Sequence, residues 1–251
     1  MKRLRRIRRL IRLATHVLVG VLITVLFAGI WHPAFYPRLV SWWLGKAGRI
    51  VGVTAKVVGK PAEQAVLMVA NHISWLDIPL LGGVTNARFL SKQEVRQWPV
   101  IGWLAAKSGT LFITRGKAGA AAQAATTILQ ALQAGNSVLL FPEGTTTTGD
   151  NVGTFHARLF APAFDVNAAV QPIVVRYPGL DGLTHPVVPY VGQQSLWDNL
   201  KALLAETNIQ VEIHFLPLIT TTGTDRRALA AACEQQIRAV INANCRDLSD
   251  R

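Results

Sequence analysis

The sequence predicts an α/β fold: a single domain with a mixed, mostly parallel sheet flanked by helices, preceded by an N-terminal membrane-associated helical hairpin. Three observations predict it. Short apolar runs rich in Val, Leu and Ile alternate with helical stretches along residues 57–251, as buried strands do when helices link them. Two of those runs, residues 65–70 and 137–140, each end in a polar cluster, the arrangement of strands that deliver side chains to one edge of a sheet. Charge is also lopsided. Twelve of the 26 basic residues precede Glu63, the first acidic one, so the remaining 14 basic residues balance all 14 acids and the net charge of +12 belongs to the N-terminal quarter.

The elements follow in order. Residues 1–12 hold seven Lys and Arg, and residues 13–31 hold no Lys, Arg, Asp or Glu. Such a 19-residue stretch is barely the ~20 residues needed to cross a bilayer, and His32-Pro33 ends the helix. Residues 34–53 form a second, patchier apolar stretch with Trp42, Trp43, Lys46 and Arg49. Basic residues flank both ends of this pair, which favours a hairpin that enters one leaflet and returns over a single crossing. The domain opens at residues 57–60 and Pro61. Strands are expected at 65–70, 88–91, 109–114, 137–141, 169–177 and 210–216. Helices are expected at 74–81, ended by Gly82-Gly83, at 118–134 with Gly135 as its cap, at 155–164 and at 225–242. The expected division is an anchor over 1–56 and a catalytic-type domain over 57–251. At 251 residues, half of them hydrophobic, the chain is long enough for one core of ordinary size.

Composition excludes some classes. A nucleic-acid binder spreads Lys and Arg over a folded face; here the basic block runs straight into an apolar segment, so no nucleic acid is expected. That design attracts an anionic membrane surface, each basic residue contributing roughly 1 kcal/mol, and then inserts. No small-residue cleavage site follows the apolar segment, which argues for an uncleaved anchor rather than a signal peptide. Cys233 and Cys245 lie twelve residues apart in one helical stretch, about 18 Å at 1.5 Å per residue, too far for a disulfide. The expected location is the cytoplasmic face of the inner (plasma) membrane, with a monotopic anchor.

The polar clusters carry chemistry. In Asn71-His72-Ile73-Ser74-Trp75-Leu76-Asp77 an imidazole and a carboxylate stand five residues apart, close enough to meet within one turn. A hydroxyl is a poor nucleophile at neutral pH until a base takes its proton; a carboxylate on the other ring nitrogen fixes the tautomer and stabilises the imidazolium. Ser74-x-x-Asp77 is also a capping-box-like helix start, which would make His72 a mere turn residue. The second cluster, Phe141-Pro142-Glu143-Gly144-Thr145, follows a strand, and Gly144 lets a ligand approach the backbone. Arg115 closes Gly109-Thr110-Leu111-Phe112-Ile113-Thr114-Arg115, where a guanidinium at a strand end suits bidentate phosphate binding. The other histidines lack partners at ligand spacing, so no metal site is expected.

The pair H-x-x-x-x-D and F-P-E-G-T, in this order, resembles the bacterial 1-acyl-sn-glycerol-3-phosphate acyltransferase family over residues 61–172. Phe89–Val95 with Pro99 and Gly102, the run ending in Arg115, and Val170-Gln171-Pro172-Ile173 are similar to further family motifs. The resemblance implies a glycerolipid-acyltransferase-type domain that moves a fatty acyl group to lysophosphatidic acid, giving phosphatidic acid. The donor is acyl-CoA or acyl-carrier protein, and no other cofactor is implied. His72 would be the base and Asp77 its orienter, with Arg115, Glu143, Gly144 and Thr145 holding the acceptor. The chain departs from the family in having Thr114 where an acid is usual and Thr146 to Thr148 where an Arg often follows the motif. The Thr-rich replacement favours another acceptor, such as lyso-ornithine lipid. A non-catalytic membrane-binding protein of the same fold is the rival from another class; the intact His72, Asp77 and Glu143 argue against it.

Overall fold

A computed structural model describes residues 1–27, 35–114, 119–179 and 183–246. The chain begins with helices α1 (Lys2–Phe27) and α2 (Tyr36–Val51), turns at Gly52, and enters strand β1 (Val53–Val58). There follow β2 (Leu67–Ala70), α3 (Asp77–Gly82), β3 (Arg88–Lys92), α4 (Gln93–Arg96), α5 (Ile101–Lys107), β4 (Leu111–Ile113), α6 (Ala120–Gln133) and β5 (Val138–Leu140). A 3-10 turn over Ala157–Phe160 leads to α7 (Ala161–Asp165), then β6 (Val170–Arg176), α8 (Leu196–Leu203), β7 (Ile209–Phe215) and α9 (Arg226–Arg246).

The strands form one sheet in the order β1-β7-β6-β2-β5-β3-β4, and only the β6–β7 pairing is antiparallel. The mixed, mostly parallel sheet is therefore as expected. Side chains alternate along each strand, so the sheet feeds two cores. Met68, Ala70, Ile173 and Val175 face a layer that includes Leu80 and Leu81 of α3, Leu203 of α8 and Val51 of α2. Leu67, Val69, Val170 and Val174 face α6, α7 and α9 through Ile128, Ala163, Leu229, Cys233 and Ile237.

Several elements differ from expectation for identifiable reasons. β1 crosses the 56/57 boundary; after Val53 every residue of it is exposed, so it lacks the alternation that marks a strand. It exists because it pairs with β7 at the sheet edge. The helix expected over 155–164 is split, and Pro162 stands in the first turn of α7, the one place a helix tolerates it. α8 went unread although Ser195 caps it, its Oγ accepting from Asp198 N at 3.1 Å. The short helices α4 and α5 were also unread.

The two N-terminal helices form the expected hairpin, while His32-Pro33, its expected break, lies outside the described residues. Antiparallel contact is set by reciprocal bonds: His16 Nε2 meets Trp43 O, Trp43 Nε1 donates to His16 O, both at 3.0 Å, and the two rings stack at 4.7 Å. The hairpin is also joined to the domain. Arg9 is buried and donates to the carbonyls of Glu206 (2.5 Å), Thr207 (3.2 Å) and Leu204 (3.4 Å) just beyond α8, where a cation complements the helix end. At least this member of the basic block is therefore not free to meet lipid. α2 lies directly on α3: a Cβ at Gly83 would come within 2.4 Å of Gly45 Cα, so only small residues permit this approach.

Candidate active site

β2 ends at the centre of the sheet, close to the end of β5, while β6 runs on to Arg176, and the loop after β2 carries the first polar cluster. Asn71 is fully buried and prolongs the ladder with its side chain. Its Nδ2 donates to Val175 O (2.9 Å) and its Oδ1 accepts from Val175 N (2.8 Å). This pins the backbone one residue before His72, so the asparagine serves as a side-chain substitute for a strand residue.

His72 Nδ1 lies 2.7 Å from Asp77 Oδ2. The same oxygen accepts from the backbone N–H groups of Ile73 (2.8 Å) and Ser74 (3.0 Å). The helix-start and dyad readings of this motif are thus one structure: Asp77 closes the turn at the head of α3 and holds the imidazole with the same carboxylate. Its other oxygen accepts from Tyr177 Oη at 2.6 Å. Asp77 and Tyr177 are buried, and burial with the adjacent Asp77 charge pushes the Tyr177 phenol well above its ordinary range, so it remains a donor. Four donors therefore surround one buried carboxylate, which is how a charge is tolerated away from water.

The second cluster supplies the support beneath the ring. Phe141 stacks on the His72 imidazole, centroids 3.8 Å apart and planes 10° from parallel. Glu143 is 7% exposed, and both of its oxygens hold backbone: Oε1 accepts from His72 N (2.8 Å) and Oε2 from Gly153 N (2.6 Å). Burial raises the Glu143 carboxyl above the usual glutamate range, against the pull of those two bonds. Gly144 turns the chain at a φ of 75°, which disfavours any side chain there. Thr147 donates to His72 O through its N–H (2.8 Å) and its hydroxyl (3.2 Å). With Nδ1 directed at Asp77 and the backbone held on both sides, Nε2 is the nitrogen that can take a proton.

The structure thus brings His72, Asp77 and Glu143 together, with Glu143 gripping the backbone where the resemblance implied contact with the acceptor. Gly144 and Thr145 sit on the adjoining turn, Thr145 exposed. Arg115 lies outside the described residues. Ser74 is fully buried, its Oγ meeting Leu76 N at 3.4 Å, so it offers no accessible nucleophile. Sequence reasoning missed Tyr177, Phe141 and Asn71 as parts of the site. Tyr177 had a signal: a phenol at the end of an otherwise apolar strand needs a buried partner.

An imidazole so held can take a proton from a hydroxyl, and the comparisons identify the class. The sequence profile of the acyltransferase family matches residues 55–176. The chain belongs to the acyltransferase family. It is 42% identical over 204 residues to the lyso-ornithine lipid O-acyltransferase of Pseudomonas aeruginosa, covering 81% of this chain and 78% of that one. It is 33% identical over 191 residues to the 1-acyl-sn-glycerol-3-phosphate acyltransferase of Neisseria gonorrhoeae, 73% of each chain. The crystal structure of the 1-acyl-sn-glycerophosphate acyltransferase PlsC from Thermotoga maritima has the same fold, with a TM-score of 0.66 over 94% of this chain and 97% of that one at 19% identity.

Proposed function

We propose that the protein transfers a fatty acyl group from acyl-CoA or acyl-carrier protein to the free hydroxyl of a lysolipid, and that the lysolipid is lyso-ornithine lipid. The observation that carries the chemistry is the 2.7 Å contact between His72 Nδ1 and the buried Asp77. His72 Nε2 takes the acceptor's hydroxyl proton as its oxygen attacks the thioester carbonyl. The C–S bond then breaks, and the imidazolium returns the proton to the departing thiolate. Asp77 orients the ring and stabilises its charged form, while Tyr177 and Glu143 keep carboxylate and backbone in place.

Lysophosphatidic acid is the acceptor that the signature motifs imply, and the Neisseria relative supports it. Lyso-ornithine lipid is favoured by the more similar Pseudomonas relative, and by Thr146 to Thr148 standing where the family often has an Arg. The discriminating experiment uses purified full-length enzyme, one acyl-CoA and a panel of lysolipids, read by mass spectrometry. Acylated ornithine lipid should accumulate fastest. Phosphatidic acid as the sole product would overturn the acceptor assignment and leave the chemistry standing.

The enzyme is read as lying on the cytoplasmic face of the inner membrane. Among the described residues α1 is the helix long and apolar enough to cross a bilayer, yet most of it is exposed. Leu18, Leu22, Val25 and Leu26 of α1 are exposed, as are Trp98, Val100, Ile101 and Trp103 at the start of α5, which contacts α1. Exposed apolar residues with tryptophans and flanking basic residues suit insertion into one leaflet. Single cysteines placed at Lys2 and Lys60 should both resist an impermeant thiol reagent in intact cells; labelling of Lys60 alone would show a crossing.

A further inference from the structure

A cleft of about 470 Å³ opens between residues 148–150 and residues 184–194, with Ala202 of α8 also lining it, and both segments are pinned to the loop of His72. One wall follows Thr147, which donates to His72 O. The other is centred on Tyr190, whose N–H donates to Ile73 O at 2.9 Å and whose carbonyl accepts from the Thr146 hydroxyl. Its polar lining is Thr148, Asp150, Thr184 and Gln194, and its apolar lining includes Pro186 and Val187. Among the described residues the only charged side chain in this lining is a carboxylate, Asp150. Asp150 Oδ1 accepts from Thr184 N at 3.2 Å, which ties the two walls together and fixes the carboxylate at the cleft. Arg176 shares a small neighbouring cavity with Asp150, but its guanidinium is engaged by Glu212 at 3.1 Å.

A cleft so lined repels phosphate and attracts a cation. Ornithine is a diamino acid, so a lipid acylated on one amine keeps an ammonium and a carboxylate and carries no phosphate. We infer that the cleft is the head-group subsite of the acceptor and that Asp150 holds the acceptor's ammonium, making it a determinant of acceptor choice. The inference rests on the lyso-ornithine reading above. A polar contact that exists for one acceptor and is lost for the other separates the two substrates more strongly than apolar fit does.

The test compares wild type with Asp150→Asn, which keeps an oxygen for Thr184 N and removes the charge. Full-length enzyme in mixed micelles is assayed with a fixed acyl-CoA and three acceptors: lyso-ornithine lipid, its norvaline analogue lacking the side-chain amine, and lysophosphatidic acid. The KM for lyso-ornithine lipid should rise about fivefold, the upper end for an ion pair at an exposed carboxylate, with kcat little changed. The KM for the norvaline analogue should not respond, and that for lysophosphatidic acid should stay level or fall. An unchanged KM for lyso-ornithine lipid, or equal losses on all three acceptors, would overturn the role of Asp150. Wild-type enzyme that acylates only lysophosphatidic acid would overturn the acceptor reading itself.

Discussion

The loop after β2 and the cleft beside it share hydrogen bonds, yet they are built on opposite rules. In the loop, Asp77 accepts four hydrogen bonds, Glu143 grips two backbone amides, and Phe141 lies flat against the imidazole. Asn71, Ser74, Asp77 and Glu143 are all buried. In the cleft, Thr148, Asp150 and Gln194 are exposed. The difference teaches where precision is needed. Proton transfer demands a ring held within tenths of an ångström, and that region is buried and densely hydrogen-bonded. Acceptor choice is a difference between two affinities, which a few exposed polar groups can supply.

Substitutions in the loop should therefore lower turnover whatever the acceptor, and substitutions in the cleft should separate acceptors. The largest effect is expected for His72→Ala. Loss of the general base should cut kcat on every acceptor by roughly 10²- to 10⁴-fold, with far-UV circular dichroism unchanged because a partly exposed side chain is removed. Retention of near-wild-type turnover would remove His72 from the chemistry.

Tyr177→Phe comes next. It preserves the packing and deletes only the donor to Asp77 Oδ1, a hydrogen bond to a charged group worth about 1.5–3 kcal/mol. Thermal unfolding in detergent should show lower stability, and kcat should fall by one factor for all acceptors. A change confined to one acceptor would move Tyr177 from positioning to recognition. Glu143→Gln should cost about 1–3 kcal/mol, since an amide offers one oxygen where two buried N–H groups each need one. If its unfolding midpoint matches wild type, the carboxylate is not the clamp described.

The smallest effect on chemistry is expected at the contact of the hairpin with the far end of α3. Gly83→Ala forces a methyl against Gly45 backbone, an overpacking cost of about 1–3 kcal/mol. Because α3 begins with Asp77, the strain should lower stability first and kcat only modestly. A loss of activity without loss of stability would show that the hairpin sets the dyad directly. The same contact, with Arg9 seated beyond α8, makes the hairpin part of the domain's support.

Legibility in the sequence followed the same division. The central strands β2, β5 and β6 are short apolar runs that only burial explains, and the motifs at their ends fell where expected. Tyr177 and Phe141 were missed as site residues because their partners, Asp77 and His72, are brought to them by the sheet order, which local sequence does not encode. β1 was missed because an exposed edge strand owes its conformation to pairing with β7. The cleft was invisible for a related reason: residues 146–150 and 184–194 contain no motif, and only their shared bonds to His72 and Ile73 place them at the site. Glu143 was found by its motif, but its two backbone bonds were not legible, since a carboxylate in sequence does not announce that it serves backbone amides.

The most direct measurement is the ratio of kcat/KM for lyso-ornithine lipid to that for lysophosphatidic acid, taken in wild type, Asp77→Asn and Asp150→Asn. Asp77→Asn should depress both values together and leave the ratio unchanged, because in the proposed mechanism the dyad acts on the hydroxyl that both acceptors present. Asp150→Asn should lower the ratio by about fivefold, as one exposed ion pair allows. A ratio that moves with Asp77, or one indifferent to Asp150, would contradict the separation of chemistry from acceptor choice.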